Sequence, residues 1–388
     1  MTVQFAVGAA LVGSGVGHLL YTYVGYPFII SLLPARSPQP GSAPGPRLVS
    51  VVIAARSGEQ GITRKVQDLL RTIQLPCEIV VVLDGPDESV TAELVRLSDQ
   101  RVKGAIVSGR RGKAASLNRG VAMSEGDVLV FTDVRQEVAP GAVEQLVRDL
   151  ASPDVGAVSG SLAISASPDS EGLYERYWRF ERWLRRREAA WDSTVGVTGA
   201  LYALKRELWR PLPEGLLLDD VWVPFQVVSE GKRVAFAPLA VVTDIRSQSD
   251  ATEVARKVRT LTGNYQLIAW MPSLLHPRKN RMWWQFISHK LLRLLTPMAM
   301  GCVLAGALLL SGRWALIFAA LGGLSLALAW AGHRRAAGPP GTGVLGTVHS
   351  GLALFVALIV AASNAARGRW DVWTDPTRAT IGGDPRRS

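Results

Sequence analysis

The sequence predicts an α/β protein whose mostly parallel sheet lies in the middle of the chain, tied to a membrane by about four apolar helices. Three observations lead there. Hydrophobic residues make up 48% of the 388 residues and charged ones only 19%, and the apolar residues crowd toward both ends. The middle alternates short β-branched runs with helical stretches. The net charge of +11 collects beside the apolar ends, where anionic lipid head groups would meet it. A soluble α/β protein of this size usually carries more charge. Basic charge also suits nucleic acid, but no zinc-ligand set, RNA-binding motif or lysine tract accompanies it. The bilayer is therefore the expected partner, and nucleic acid is not.

Residues 1–35 form the first element. From Phe5 to Leu33 the chain is almost free of charge, long enough for a helix to cross a bilayer core of about 30 Å. The start MTVQFAVGAA holds no Lys or Arg, so a retained anchor is expected rather than a cleaved signal peptide. Charge begins with Arg36 and Arg47, which places the N-terminus outside and the middle inside. Residues 36–47, with SPQPGSAPGP, read as a flexible linker.

Residues 48–270 change pattern completely. LVSVVIAA, EIVVVLDG and DVLVFTDV are short buried-strand runs, separated by the helical stretches ITRKVQDLLRTI and ESVTAELVRLS. Strand, helix, strand in this rhythm means parallel pairing with right-handed crossovers. Ligands of such sheets sit at the carboxyl ends of strands, where Asp84 and Asp133 fall. Further on, YERYWRFERWLRRREAAW sets Trp178, Trp183 and Trp191 beside Arg182 and Arg186. It reads equally as a helix lying among lipid head groups or as a solvated basic face over a core. GNYQLIAWMPSLLHP suits a second interfacial helix.

Residues 271–293 are read as interfacial, with Arg278, Lys279, Arg281, Lys290 and Arg293 on the inner side. Within 294–366 three apolar runs, about 294–311, 314–331 and 344–362, are each close to spanning length. Arg334 and Arg335 fit an inner loop, and His349 reads as a packed residue. Three crossings would put the tail, 367–388, outside. It carries Arg367, Arg369, Arg378, Arg386 and Arg387, so either the charge rule is broken there or one run is re-entrant or interfacial. The cysteines Cys77 and Cys302 lie in unlike environments and are not expected to pair, in keeping with a reducing cytosol.

Several short segments then stand in a telling order. VVLDG puts Asp84 at a strand end. GRRGKAASLNRG sets Lys113 and Asn118 in a basic, glycine-rich loop suited to a diphosphate. FTDVR carries Asp133 and Arg135. GVTGALYALKRELW offers the small pair Gly199 and Ala200. LLLDDVWVPFQVV carries the adjacent acids Asp219 and Asp220, able to raise one another's pKa. ARKVRTLTGNYQL spaces Arg256 and Arg259 on one helical face. Taken singly, each has an ordinary reading: a turn, a surface loop, tight packing, a helix N-cap.

Taken together they resemble the membrane-bound members of glycosyltransferase family 2, the group of cellulose, chitin and hyaluronan synthases, exopolysaccharide synthases and ceramide glucosyltransferases. The resemblance runs over residues 20–300 and is nearest to the bacterial exopolysaccharide type. It implies a GT-A-type nucleotide-sugar transferase domain and an integral protein of a bacterial plasma membrane, its catalytic part cytosolic. It implies an inverting transfer from a nucleotide-sugar, UDP-linked by preference, to a lipid or glycan acceptor. Asp84, Lys113, Asn118, Asp133, Arg135, Arg256 and Arg259 would bind the donor. Gly199, Ala200 and Asp219 would face the acceptor, and Asp220 would be the catalytic base. The family's Asp-x-Asp metal motif is reduced here to Asp133-Val134-Arg135. Asp133 alone would hold Mg²⁺ or Mn²⁺ with the phosphates, or Arg135 would partly replace the metal. The motif Gln-x-x-Arg-Trp has Arg256 in place of Gln and Thr260 in place of Trp. That departure favours single addition to a glycolipid over processive synthesis, while the exopolysaccharide likeness favours the reverse. A non-catalytic scaffold or transporter is the reading from another class.

Overall fold

The computed structural model describes residues 3–36, 45–109, 111–165, 173–245, 250–310, 313 and 344–372. They divide into two compact units. One comprises Gly25–Arg246 and Met271–His289, the other Met1–Val24, Ser247–Trp270 and Lys290–Ser388.

The first unit is built on one eight-stranded sheet. Its strands are β1 Val49–Arg56, β2 Cys77–Asp84, β3 Val102–Val107, β4 Val128–Thr132, β5 Glu137–Val138, β6 Val155–Ser165, β7 Leu201–Lys205 and β8 Arg233–Ile245. Their order is β3-β2-β1-β4-β7-β6-β8-β5. The β3-β2, β2-β1, β1-β4 and β6-β8 pairs are parallel, and β4-β7, β7-β6 and β8-β5 are antiparallel. The parallel strands β1, β2 and β4 are the three runs legible in the sequence. They are buried on both faces because crossover helices cover them.

Each crossover is amphipathic. Ile62–Thr72 buries Ile62, Val66 and Leu69, and Lys113–Met123 buries Ala114, Leu117 and Val121. Parallel pairing gives way to antiparallel between β4 and β7. Asp133 leaves β4 at that reversal, the place where open sheets present a crevice to ligands. The basic-aromatic stretch forms the helix Leu173–Trp191. It leaves Tyr177 and Trp183 exposed and buries Glu181 and Glu188. His289 ties those two acids together, Nδ1 lying 2.8 Å from Glu188 and Nε2 3.1 Å from Glu181, while the Tyr26 hydroxyl donates to Glu188 at 2.7 Å.

The second unit is a set of apolar helices. Val3–Leu20 packs along Thr296–Leu310 at a spacing set by small residues: a Cβ on Gly306 would lie 2.6 Å from the Gly8 carbonyl. Helix Asp250–Trp270 packs on Val344–Ala366, where the Asn364 amide donates to Thr262 at 3.3 Å. This division places Ser247–Trp270 with the terminal helices, whereas the sequence reading runs the α/β domain on to residue 270.

Among the described residues one helix, Val3–Leu32, is long and apolar enough to cross a membrane. The bent pair Trp283–Leu294 and Thr296–Leu310, at 58°, makes a second if it is one span, and Leu354–Ala366 is a shorter apolar helix. About four spans are expected from the sequence. The run 314–331, the residues Arg334, Arg335, Arg378, Arg386 and Arg387, and most of the linker lie outside the described residues.

Candidate functional site

The site grows from the carboxyl ends of β2 and β4. Asp84 closes β2, and its Oδ2 accepts a hydrogen bond from the Gly112 backbone N–H at 3.0 Å. Its Oδ1 is buried and makes no hydrogen bond among the described residues, so one oxygen fastens the loop and the other is unpaired there. Gly112 has φ +88° and ψ 173°, a region open to glycine and strained for other residues. That conformation turns the chain directly into helix Lys113–Met123, with Lys113 in its first turn.

Two further hydrogen bonds bring the other segments onto Lys113. The Thr132 hydroxyl at the end of β4 donates to the Ala200 carbonyl at 2.8 Å, joining β4 to the entry of β7. The Val197 N–H donates to the Asp220 carbonyl at 2.8 Å, joining that entry to the next helix, Asp219–Ser229. Lys113 Nζ then lies 3.1 Å from Asp133 Oδ1 and 3.4 Å from Asp219 Oδ2. Gly199 sits between: a Cβ there would be 3.5 Å from Lys113 Nζ and 3.6 Å from Asp220 Cβ. Leu216, Leu217 and Leu218, all buried, anchor the turn that presents the two acids. Both acids stand at a helix N-terminus, where the helix dipole favours negative charge.

The electrostatics follow from this crowding. Burial opposes the charge on Lys113, but Asp133, Asp219 and Asp220 outweigh it and hold the ammonium well above the usual lysine range. Asp219 is 6% exposed. Burial pushes its carboxyl up against the pull of Lys113, and the charges of Asp220 and Asp133 push the same way as burial.

The structure thus brings Asp84, Lys113, Asp133, Gly199, Ala200, Asp219 and Asp220 to one end of the sheet. Asn118 is used differently from the sequence expectation. Its amide NH₂ donates to the Leu212 carbonyl and its oxygen accepts from the Leu212 N–H, both at 2.8 Å, so it clamps backbone and has no amide end turned to a donor. Arg135 is exposed. Arg256 and Arg259 lie one turn apart on Asp250–Trp270, in the other unit.

Three side chains beside the site carried no sequence signal strong enough to single them out. Glu59, half-buried in the loop after β1, is pushed up by burial and by Asp133, with Arg135 pulling the other way. It lies just past a strand end, which is the clue that could have found it. Lys65 is 5% exposed, donates to the Gln136 carbonyl at 2.5 Å and is brought down to about 8 by burial. In an amphipathic helix it reads as a surface lysine. Tyr202, on β7, is buried with its hydroxyl unpaired among the described residues, and reads in sequence as plain core.

Among the described residues no group of three or more His, Cys, Asp or Glu could hold a metal ion. A divalent cation held by Asp133 would complete its shell with phosphate and water. Asp133 is one-third exposed, which leaves room for that.

Residues 50–209 match the family described as Glycosyl transferase family 2. The probable glycosyltransferase YdaM of Bacillus subtilis (strain 168) is 23% identical over 253 residues, 60% of this chain and 59% of that protein. The chain therefore spans less than two thirds of that relative's length. Among solved structures, the mannosyltransferase PcManGT from Pyrobaculum calidifontis, in complex with GDP-Man and Mn²⁺, superposes with a TM-score of 0.68 at 22% identity. The match covers 95% of this chain and all of that one. Glucosyl-3-phosphoglycerate synthase from Mycobacterium tuberculosis, with Mn²⁺, UDP and phosphoglyceric acid, gives a TM-score of 0.42 at 18% identity over 57% of this chain and 78% of that one. The segment that matches glycosyltransferase family 2 contains Asp84, Lys113 and Asp133, and the sheet that presents them has the fold of the Pyrobaculum mannosyltransferase.

Proposed function

We propose that this protein is a glycosyltransferase, an integral membrane enzyme that moves one sugar, with inversion, from a nucleotide-sugar to a lipid or glycan acceptor at the bilayer. The observation that carries the reading is the cluster of Lys113, Asp133, Asp219 and Asp220 around the small residue Gly199. It sets a cation suited to a diphosphate beside a carboxylate pair, the two groups that such a transfer needs.

In this reading the free Oδ1 of Asp84 accepts from the nucleoside, and the Gly112–Lys113 turn receives the diphosphate. Asp220, half-buried at its helix N-terminus, takes the proton of the acceptor hydroxyl. The acceptor oxygen attacks the anomeric carbon from the face opposite the phosphate, and the bond from that carbon to the phosphate oxygen breaks. Lys113 meets the negative charge that grows on the leaving diphosphate. A Mg²⁺ or Mn²⁺ held by Asp133 would neutralise part of the same charge. Arg256 and Arg259 are proposed as a further clamp on the diphosphate, and Arg135 as a contact that partly replaces the missing second carboxylate. The donor base is open between uridine, which the motif order favours, and guanosine, carried by the Pyrobaculum structure's ligand. Thr260, where processive relatives carry Trp, favours single addition.

The test is release of nucleoside diphosphate by protein purified in detergent or nanodiscs. A panel of UDP-sugars and GDP-mannose is offered with Mg²⁺, with Mn²⁺ and with EDTA, to wild type and Asp220→Asn. Release from one donor is expected, falling about 10²–10⁴-fold in the variant, the usual contribution of a general base. Undiminished release by Asp220→Asn would assign the base elsewhere.

A further inference from the structure

Tyr202 is a buried titratable group to which the chemistry above gives no task. It pairs with Phe131 across β4 and β7, and the two rings stack at 4.7 Å between centroids. Phe131 stacks in turn on Trp209 at 5.2 Å. Asp133 follows Phe131 by two residues and lies just past the end of β4. The phenol is 0% exposed, and its hydroxyl has no hydrogen-bond partner among the described residues. Buried polar atoms in folded proteins are almost always paired, so an orphan calls for a cause.

The surroundings supply one. Burial holds the Tyr202 proton on well above the usual phenol range, and the charges of Asp219, Asp220 and Asp133, in that order, add to it. The hydroxyl therefore keeps its proton and can donate, and the buried Oδ2 of Asp219 is likewise without a hydrogen bond among the described residues. Asp219, the acid that acts on it most strongly, is served meanwhile by Lys113 at 3.4 Å, while the same ammonium sits 3.1 Å from Asp133. A donor diphosphate competes for that ammonium, since charge-assisted bonds to phosphate are strong. Once Lys113 turns to it, Asp219 is a buried carboxylate in need of another donor. Because Tyr202 is fully buried, it does not itself reach the substrate.

We propose that Tyr202 is a positioning residue for the acid pair: when donor is bound its hydroxyl donates to Asp219, which fixes the turn of helix that aims Asp220 at the acceptor hydroxyl. This rests on the reading of Asp220 as the base. It gives the enzyme a site that is underpaired at rest and completed by its donor.

Tyr202→Phe tests it, because the ring stack survives and only the hydroxyl goes. With the donor that turns over in the panel, kcat is expected to fall about tenfold, as for loss of one hydrogen bond to a charged group, with donor KM within about twofold of wild type. The thermal midpoint of the unliganded protein should stay level or rise, since an orphaned buried hydroxyl has been removed. Combining Tyr202→Phe with Asp219→Asn should cost less than the two single losses multiplied, because the residues act as a unit. A kcat within twofold of wild type in Tyr202→Phe, with Asp220→Asn inactive, overturns this proposal alone. So does a thermal midpoint several degrees lower, which would mean the hydroxyl is structural. Turnover kept in Asp220→Asn overturns the base reading, and the proposal with it.

Discussion

Lys113 sets the charge of the site, standing between Asp133 and the 6%-exposed Asp219. Lys113→Met keeps the length of the chain and removes the cation, so donor KM should rise at least about tenfold. Asp219 would also lose the charge that opposes its upward shift. A carboxyl raised in the folded state supports folding at low pH and loses that support as pH rises through its folded value. The stability gap between wild type and Lys113→Met should therefore widen as pH rises above the ordinary carboxylate range, as thermal midpoints would reveal; a gap independent of pH counts against the assignment. Arg135 makes a second case. If it stands in for a metal ligand, Arg135→Asp restores a carboxylate pair, and the Mn²⁺ concentration for half-maximal activity should drop about tenfold, in line with added ligand charge. An unchanged titration would place Arg135 outside the metal's reach. Asp84, Lys113, Asp133, Asp219 and Asp220 were legible only as an ordered set, since each alone reads as a turn, a surface loop or a helix cap. Tyr202 and the backbone clamp made by Asn118 were not, since what distinguishes them is a missing or a long-range hydrogen bond.

Two elements carry the site, and each can be perturbed apart from the chemistry. The Asp84 turn depends on a residue at φ +88° with open space where a Cβ would go. Gly112→Ala meets no clash, only backbone strain of roughly 1–3 kcal/mol. Relief of that strain would swing Lys113 away from Asp133, so donor KM should rise while kcat at saturation changes little. An equal fall in both would show that the turn serves the transition state as well. Helix Ile62–Thr72 hides Lys65, whose ammonium burial brings down from 10.5 to about 8. A lowered folded value means that the charged form is penalised on folding. This group therefore weakens stability below pH 8 and ceases to do so above its unfolded value. Stability should climb between pH 8 and 10.5 by up to about 3 kcal/mol, and Lys65→Met should flatten that climb in thermal melts. At this scale the parallel strands β1, β2 and β4 announced themselves as unbroken apolar runs. The antiparallel half was hidden: β6 reads VGAVSGSLAIS, too rich in small residues for a strand signal, and β5 is two residues long.

At the scale of the molecule, an α/β unit with polar chemistry is encoded in one chain with a unit of apolar helices. Composition made that division legible, because 48% hydrophobic residues cannot all be buried by one sheet and its crossovers. Composition does not count spans, because apolar helices that pack on each other and those that face lipid look alike in sequence. Val3–Leu32 bears on it most directly: 30 residues, apolar, and only 11% buried in its most apolar window. A core helix of a soluble protein hides its side chains, whereas this one leaves Phe5, Val7, Leu20, Phe28 and Leu32 exposed. Exposed apolar surface on that scale calls for a partner, and a helix of about 20 apolar residues matches the bilayer core. Attachment through the basic surface alone would be electrostatic and would yield to salt. Insertion of the helix would not. Membranes from expressing cells, washed first in 1 M salt (a Debye length of about 3 Å) and then in alkaline carbonate, should therefore retain the protein until detergent is added. Release by salt would leave the basic face of Leu173–Trp191 as the sole attachment, and release by carbonate would make Val3–Leu32 a surface for another protein instead of for lipid.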